Sequence, residues 1–174
     1  VSSLSLRDNI AVYVGGLEPL YHIKELLDAM ESIPEWSLII PGEGSLREVV
    51  EQTEAEQENI HYIGSVPHPQ VVGYLSLADV GISLVDDPYT LKVLEYGAAG
   101  LSVVHLAGRS EERFEGLLEF TCSKPEAIAQ AIVTAGRNDS NANLASFASK
   151  FDWESVASDY AGALNSVKYS PGGE

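Results

Sequence analysis

The chain has 174 residues, a length that fits one domain. Ten lysine and arginine residues stand against 26 aspartates and glutamates, so the formal charge is −16. This charge opposes binding to nucleic acids and to anionic membrane surfaces. No stretch reaches the roughly 20 apolar residues of a membrane span, and no signal segment is recognisable. With Cys122 as its single cysteine the chain forms no internal disulfide, and we expect a cytoplasmic protein, with peripheral membrane attachment of a longer protein left open.

The acidity itself has two explanations. A dense carboxylate surface keeps a protein hydrated at high salt, and the spread of acidic residues over predicted helix faces favours that adaptation. Ordinary acidic solubility is the alternative, and neither explanation assigns a function.

Apolar runs and amphipathic segments alternate along the chain, which is the pattern of βαβ units around a parallel sheet. Short apolar runs predict strands at residues 9–15, 36–40, 60–63, 79–84, 101–104 and 117–121. Helical spacing of apolar residues predicts helices at 20–32, 45–56, 67–77, 91–99, 125–135, 141–150 and 153–167. The sequence therefore predicts an α/β fold: a doubly wound, Rossmann-like parallel sheet of about six strands with helices on both faces and further helices at the C-terminal end. We expect residues 1–174 to form a single domain with a flexible tail at 168–174.

The residues that follow the predicted strands are the first candidates for a site, because open parallel sheets bind ligands at the carboxyl ends of their strands. Gly15 and Gly16 close the first strand, and residues 41–46 (PGEGSL) follow the second. Both segments predict sharp turns that offer backbone N–H groups to an anion at a helix start. A purely structural turn is the alternative for each, because neither contains the dinucleotide-binding fingerprint.

Glu95 lies on the helix predicted after the fourth strand, among small and apolar neighbours. An unpaired carboxylate is costly in such surroundings, and hydrogen bonds from hydroxyl groups, such as those of a ribose, would satisfy it. Lys92 lies three residues earlier on the same helix face. A structural Lys92–Glu95 ion pair is therefore the alternative.

Residues 90–104 (TLKVLEYGAAGLSVV) resemble the donor-site signature of group 1 (family 4) glycosyltransferases, in the version Pro-Leu-Lys-x-x-Glu-Tyr-x-Ala-x-Gly-x-Pro-Val-Val. Five more segments resemble motifs of this family in the same order: 12–19 (VYVGGLEP), 38–47 (LIIPGEGSLR), 59–66 (NIHYIGSV), 77–82 (LADVGI) and 152–157 (DWESVA). The match spans roughly residues 9–167. The chain is thus similar to the C-terminal, donor-binding half of a GT-B enzyme, and we expect the N-terminal acceptor-binding half to be missing from this segment.

The resemblance implies a role for each matching residue. Glu95 would bind the ribose hydroxyls of a nucleoside diphosphate sugar, and Asp87, at the first position of the family's Glu-x7-Glu pattern, would stand near the donor sugar; these two are the expected catalytic residues. Backbone N–H groups at the helix start would face the diphosphate: those of Thr90, Leu91 and Lys92. Val66 would border the base, while Gly15 and Gly16 would let the first loop approach the donor closely.

Two positions depart from the family's pattern. The family places an arginine after the first-loop glycine and a lysine a few residues later, where this chain has Gly16 and Tyr21. Fixed positive charge commonly stabilises a departing anion, so this loss lowers the expected donor affinity and activity. His22 and Lys24 lie nearby as partial substitutes, and Lys24 joins the expected donor site on that ground; a solvated helix charge is the alternative for Lys24.

The resemblance implies donor binding in a retaining glycosyltransferase that moves a hexose from a UDP-, GDP- or ADP-sugar to a glycan or lipid-linked acceptor. No metal and no organic cofactor are expected, and the nucleotide sugar is a substrate. The expected partners are this donor and the acceptor-binding half, without which the segment would be inactive. Two alternatives remain: a degenerate GT-B-like module that supports another glycosyltransferase subunit, and a sugar-nucleotide epimerase of related fold, which the Lys-x-x-Glu-Tyr segment fits less well.

Overall fold

The fold centres on a seven-stranded sheet in the computed structural model, which describes residues 4–138 and 141–151. The strands are β1 (Asn9–Val12), β2 (Gly15–Gly16), β3 (Trp36–Glu43), β4 (Ile60–Gly64), β5 (Val80–Ser83), β6 (Ser102–Leu106) and β7 (Glu119–Thr121). Every pairing is parallel, in the order β4-β3-β1-β5-β6-β7, with the short β2 beside the end of β3. The strand order reverses between β1 and β5, which is where a doubly wound sheet opens its ligand crevice.

Helices cover both faces of this sheet. They are α1 (Ile23–Glu31), α2 (Arg47–Glu56), α3 (His68–Leu75), α4 (Leu91–Ala98), α5 (Pro125–Ala135) and α6 (Asn141–Ala148), with 3-10 turns at Pro19–Tyr21 and Ser149–Phe151. Side chains of β1 alternate between the two faces, so that Ala11 packs in the core beneath α1 and α5 whereas Val12 packs beneath α3 and α4. The predicted doubly wound α/β architecture is confirmed. No helix of the described residues has the length and apolar character needed to span a membrane.

Most element boundaries lie within two residues of the prediction, and three differences concern the region of the first loop. The first strand ends at Val12, and Gly15–Gly16 form a separate two-residue strand. The second predicted strand continues to Glu43 instead of ending at residue 40. The predicted helix at 20–32 is divided by His22, whose φ of 53° lies in the left-handed region, into a 3-10 turn and α1. The predicted helix at 153–167 and the tail at 168–174 lie outside the described residues, and the single domain over 1–174 stays a prediction.

Candidate functional site

Tyr96 fixes the crevice between β1 and β5. The Val14 N–H donates a hydrogen bond to the Tyr96 hydroxyl oxygen at 3.0 Å, and this hydroxyl donates to the Ile82 carbonyl at 3.3 Å. The ring packs directly on β5, because a Cβ built on Gly81 would lie 2.5 Å from it. Burial raises the pKa of the Tyr96 hydroxyl, so the side chain stays a hydrogen-bond donor. The first loop, residues 13–18, is thereby tied to the neighbouring strand through α4.

The first loop is also bonded to β3 on its other side. The Leu17 N–H donates to the Glu43 carbonyl at 2.9 Å, and the Leu46 N–H donates to the Leu17 carbonyl at 2.9 Å. A Cβ on Gly44 would lie 2.6 Å from the Leu17 backbone nitrogen, so a glycine is needed for this close approach. Residues 41–43 continue β3, and residues 44–46 make the turn before α2, with the Ser45 N–H bonded to Glu18 and the Leu46 N–H bonded to Leu17. Because these amides are engaged within the protein, the structural alternative accounts for this turn.

Lys92 extends from the first turn of α4 to the first loop. Its Nζ donates a hydrogen bond to the Tyr13 hydroxyl oxygen at 3.3 Å and lies 4.4 Å from the centre of the Tyr13 ring. The Tyr21 ring centre is 4.7 Å from the same nitrogen. Tyr13 in turn donates its hydroxyl proton to the Gly16 carbonyl. Gly15, at φ 141°, leaves the room that the ammonium fills, because a Cβ there would lie 2.6 Å from Nζ.

The Lys92 ammonium has no carboxylate partner within 4.0 Å among the described residues. Burial lowers its pKa to about 8, and the nearby Glu95 carboxylate opposes this shift without forming an ion pair. The alternative of a structural Lys92–Glu95 pair is therefore wrong. Glu95 is exposed, so its carboxylate escapes the cost of burial, although it lines a pocket with Leu91, Leu94 and Ala98 of the same helix. The tyrosine rings hold the Lys92 side chain on the loop side of the helix.

The acidic loop after β5 is closed by Arg109. The Arg109 backbone N–H donates to Asp86 Oδ1 at 2.7 Å, and its Nε donates to Asp86 Oδ2 at 3.2 Å. Asp87 Oδ1 accepts the Tyr89 N–H at 2.9 Å, and the Asp87 carbonyl accepts the Thr90 N–H at 3.3 Å. The Thr90 amide is thus already engaged within the loop. The Leu91 and Lys92 amides open α4, where a helix leaves its N–H groups without intrahelical acceptors.

A pocket of about 290 Å³ lies at the carboxyl ends of β1, β3 and β4. Its walls are Val14, Gly15, Pro41, Gly42, Glu43, Ser65, Val66, His68 and Val71. Val66 therefore lines a pocket next to the first loop, and its expected contact with a base stays a prediction. A larger cavity of about 520 Å³ lies beside Leu101, Ser102 and Glu119, at the amino ends of β6 and β7. We assign the smaller pocket to the site, because ligands of parallel sheets bind at the carboxyl edge.

Lys24 and His22, and one histidine that was not a predicted site residue, contribute little to this geometry. Lys24 is exposed on α1 and has no hydrogen bond or ion pair within the described part of the chain. His22 lies with its Nδ1 3.7 Å from Glu25 Oε1. Buried His105 contacts the Ser110 hydroxyl at 2.9 Å, and burial lowers the pKa of this imidazole to about 4. His105 is therefore neutral at pH 7 and supports the loop that carries Arg109.

Four side chains near the crevice escaped the sequence prediction: Tyr13, Tyr96, Arg109 and Arg113. Tyr96 follows Lys92 by four residues, and this spacing is a signal that both share a helix face. Tyr13 alternates inward from β1, which the strand period indicates. The Arg113 guanidinium lies 5.0 Å from the centre of the Tyr89 ring, a contact that joins two loops and leaves no local pattern in the sequence.

Fold and site together define a Rossmann-like α/β domain with its ligand crevice beside a glycine-bearing first loop. The family model described as Glycosyl transferases group 1 matches residues 8–138, so the chain belongs to the group 1 glycosyltransferases. No curated protein matches the chain.

Solved GT-B structures share this fold. Sucrose-phosphate synthase from Thermosynechococcus elongatus is 22% identical, with a TM-score of 0.79, over 94% of this chain and 46% of its own. Anabaena HepE, solved in complex with UDP and glucose, is 16% identical with a TM-score of 0.76, over 95% of this chain and 50% of its own. A trehalose-phosphate synthase from Burkholderia xenovorans, solved with glucose-6-phosphate, is 14% identical with a TM-score of 0.74, over 93% of this chain and 44% of its own. The chain thus spans half or less of the length of these proteins.

Proposed function

We propose that this chain binds the nucleoside diphosphate sugar donor of a retaining glycosyltransferase. Membership of the group 1 family supports this proposal, and one structural observation carries it. The 290 Å³ pocket, Gly15 of the first loop and the start of α4 follow one another along the carboxyl edge of the sheet. This sequence of a pocket, a close-approach glycine and a helix start fits the base, ribose and diphosphate of a nucleotide.

Each residue has a proposed role within this arrangement. Val66 borders the base, and the exposed Glu95 carboxylate accepts hydrogen bonds from the ribose hydroxyls. Asp87 stands near the donor sugar. The amides of Leu91 and Lys92 are directed to the diphosphate, whereas the Thr90 amide is engaged with the Asp87 carbonyl. Gly15 and Gly16 admit the donor to the loop, and exposed Lys24 adds positive charge at longer range.

The donor is proposed to be a UDP-sugar. HepE was solved with UDP and glucose, and a pneumococcal O-GlcNAc transferase of the same fold was solved with UDP and GlcNAc. The complete enzyme would place the acceptor, a glycan or a lipid-linked sugar, against this site from a second domain. The sugar would be transferred with retention of its anomeric configuration and without a metal ion or organic cofactor.

Calorimetric titration of the chain with UDP, GDP and ADP tests the proposal. We expect saturable binding of UDP, and we expect Glu95→Ala to weaken it about tenfold or more, because a charge-assisted hydrogen bond contributes about 1.5–3 kcal/mol. Glu126→Ala removes an exposed carboxylate from the first turn of α5 and serves as the matched control.

Two results would contradict this proposal. A folded chain that binds none of the three nucleotides has no donor function and fits the alternative of a scaffold for another subunit. Equal losses in Glu95→Ala and Glu126→Ala would show a non-specific effect of the substitutions in place of ribose recognition. The titrations are run at low and at multimolar salt, since the charge of −16 makes any anion binding salt-dependent.

A further inference from the structure

The crevice contains a cation that the described residues do not neutralise. Lys92 Nζ donates one hydrogen bond, to the Tyr13 hydroxyl oxygen, and its other two N–H groups have no acceptor within the described part of the chain. No carboxylate lies within 4.0 Å of it there. A partly buried charge without a partner opposes folding. Such local conflicts are expected where a protein binds a ligand.

The surrounding groups hold this ammonium in one place. The faces of Tyr13 and Tyr21 attract it at 4.4 and 4.7 Å from their ring centres. The missing side chain of Gly15 leaves the space that it fills. Gly15 also lines the 290 Å³ pocket, so the pocket and the ammonium both border this glycine. A ligand with its base in the pocket therefore passes Gly15 and brings its next groups to Lys92.

Two other basic side chains near the crevice, those of Arg109 and Arg113, make contacts of their own. Arg109 is bound to the Asp86 carboxylate and carbonyl. The Arg113 guanidinium lies over the rings of Tyr89, Phe114 and Phe151. Among the described residues, Lys92 is the cation that lies against Gly15 of the first loop without a carboxylate partner.

We propose that the ammonium group of Lys92, held against Gly15 by Tyr13 and Tyr21, binds the diphosphate of the donor and supplies the positive charge that the first loop lacks at Gly16 and Tyr21. This inference rests on the proposed function and extends it, because it assigns the side chain of Lys92 as well as its amide. The diphosphate oxygens accept the two free N–H groups, and the charge balances the negative charge of the nucleotide.

Calorimetric titration of three proteins tests the inference: the wild-type chain, Lys92→Met and Lys124→Met. Each is titrated with UDP, uridine and inorganic pyrophosphate. Lys92→Met keeps an unbranched side chain between the tyrosines and removes only the charge. We expect it to weaken UDP and pyrophosphate binding about tenfold or more and to leave uridine binding within about twofold. Lys124→Met makes the same charge change at an exposed residue before α5, and should leave all three affinities within about twofold.

Thermal unfolding and NMR keep the result interpretable. Lys92→Met should melt at or above the wild-type temperature, so that lost binding is not lost folding. In the wild-type chain, the Lys92 Cε resonance should report an ammonium pKa that rises when pyrophosphate is added, since a bound anion favours the charged form.

The outcomes separate the two proposals. UDP binding that survives unchanged in Lys92→Met overturns this inference and leaves the donor site standing. Pyrophosphate binding that depends on Lys92, without a preference for any nucleotide, confirms that this ammonium binds a diphosphate and overturns the proposed function together with the assignment of that diphosphate to a donor. If the folded wild-type chain binds neither pyrophosphate nor UDP, both proposals are overturned. If Lys92→Met loses as much affinity for uridine as for UDP, the assignment of Lys92 to the diphosphate is overturned.

Discussion

Two charged side chains at the carboxyl edge of the sheet fit beside glycines in the same way, yet their electrostatic surroundings are opposite. A Cβ on Gly15 would lie 2.6 Å from Lys92 Nζ, and a Cβ on Gly108 would lie 2.7 Å from Asp86 Cγ. Both glycines have positive φ angles, 141° and 150°. Asp86 is bound by Arg109 and closes a loop, whereas Lys92 faces aromatic rings and keeps its charge available. The comparison teaches that pairing, and not proximity to the crevice, separates a structural charge from one that can bind a ligand.

Removal of the unpaired charge should give the largest change in stability. Lys92 has a pKa of about 8 in the fold and 10.5 as its ordinary value. Below pH 8 Lys92 is protonated in both the folded and the unfolded chain, and the folded chain bears the full free-energy cost of burying the charge. Between pH 8 and 10.5 the unfolded chain binds more protons than the folded chain, so the free energy of unfolding rises with pH. Lys92→Met should lack this rise and be more stable at pH 7 by up to about 3 kcal/mol.

Urea unfolding of both proteins from pH 7 to 11 measures the difference. Tyr13, Tyr21, Tyr96 and Glu95 surround position 92 in both proteins, so the difference between the two curves reports the Lys92 side chain. Parallel curves over this range would show that the Lys92 charge is already compensated, and the comparison with Asp86 would fail.

Substitution of Gly15 and of Gly108 by alanine gives a matched pair of variants. Gly15→Ala and Gly108→Ala each force a side chain into a positive φ angle and into contact with a charged group, and each should cost about 1–3 kcal/mol of stability. Only Gly15→Ala should also weaken pyrophosphate binding, because it displaces the Lys92 ammonium. Denaturation and calorimetry on both variants check this; equal binding by the two variants would remove Gly15 from the site.

Loss of the paired cation should have the smallest effect. Arg109 and Asp86 have side chains that are 73% and 38% exposed, and exposed ion pairs contribute about 0.2–1 kcal/mol. Arg109→Ala should therefore lower the free energy of unfolding by less than about 1 kcal/mol and leave pyrophosphate affinity unchanged. A clear loss of pyrophosphate affinity in this variant would show that Arg109, and not Lys92 alone, faces the anion.

The sequence predicted the layers of the fold well, because buried parallel strands and amphipathic helices have periods that can be counted. It failed at residues 41–43, where a proline and a glycine suggest a turn but the turn begins only at Gly44. The strand continues to Glu43 because Gly42 and Gly44 allow the first loop to lie directly against it. That approach depends on a partner segment more than 20 residues away, which local propensity does not contain.

The sequence predicted which residues lie at the site, but it did not predict which of their side chains contact one another. Spacing placed Lys92 and Glu95 near each other, and it wrongly paired them as the structural alternative. The direction of the Lys92 side chain is decided by the tyrosine at position 13, 79 residues away along the chain. The expected roles of Glu95, Asp87 and Val66 remain predictions that the titrations address.

The contact between Gly16 and Tyr21 constrains how this crevice can change in evolution. A Cβ on Gly16 would lie 3.2 Å from a ring carbon of Tyr21, tighter than an ordinary contact. Any larger residue at position 16 therefore presses on the ring that covers the Lys92 ammonium. Positions 16, 21 and 92 are therefore coupled: a side chain added at position 16 has to move the Tyr21 ring, and with it one of the two rings that hold the Lys92 ammonium.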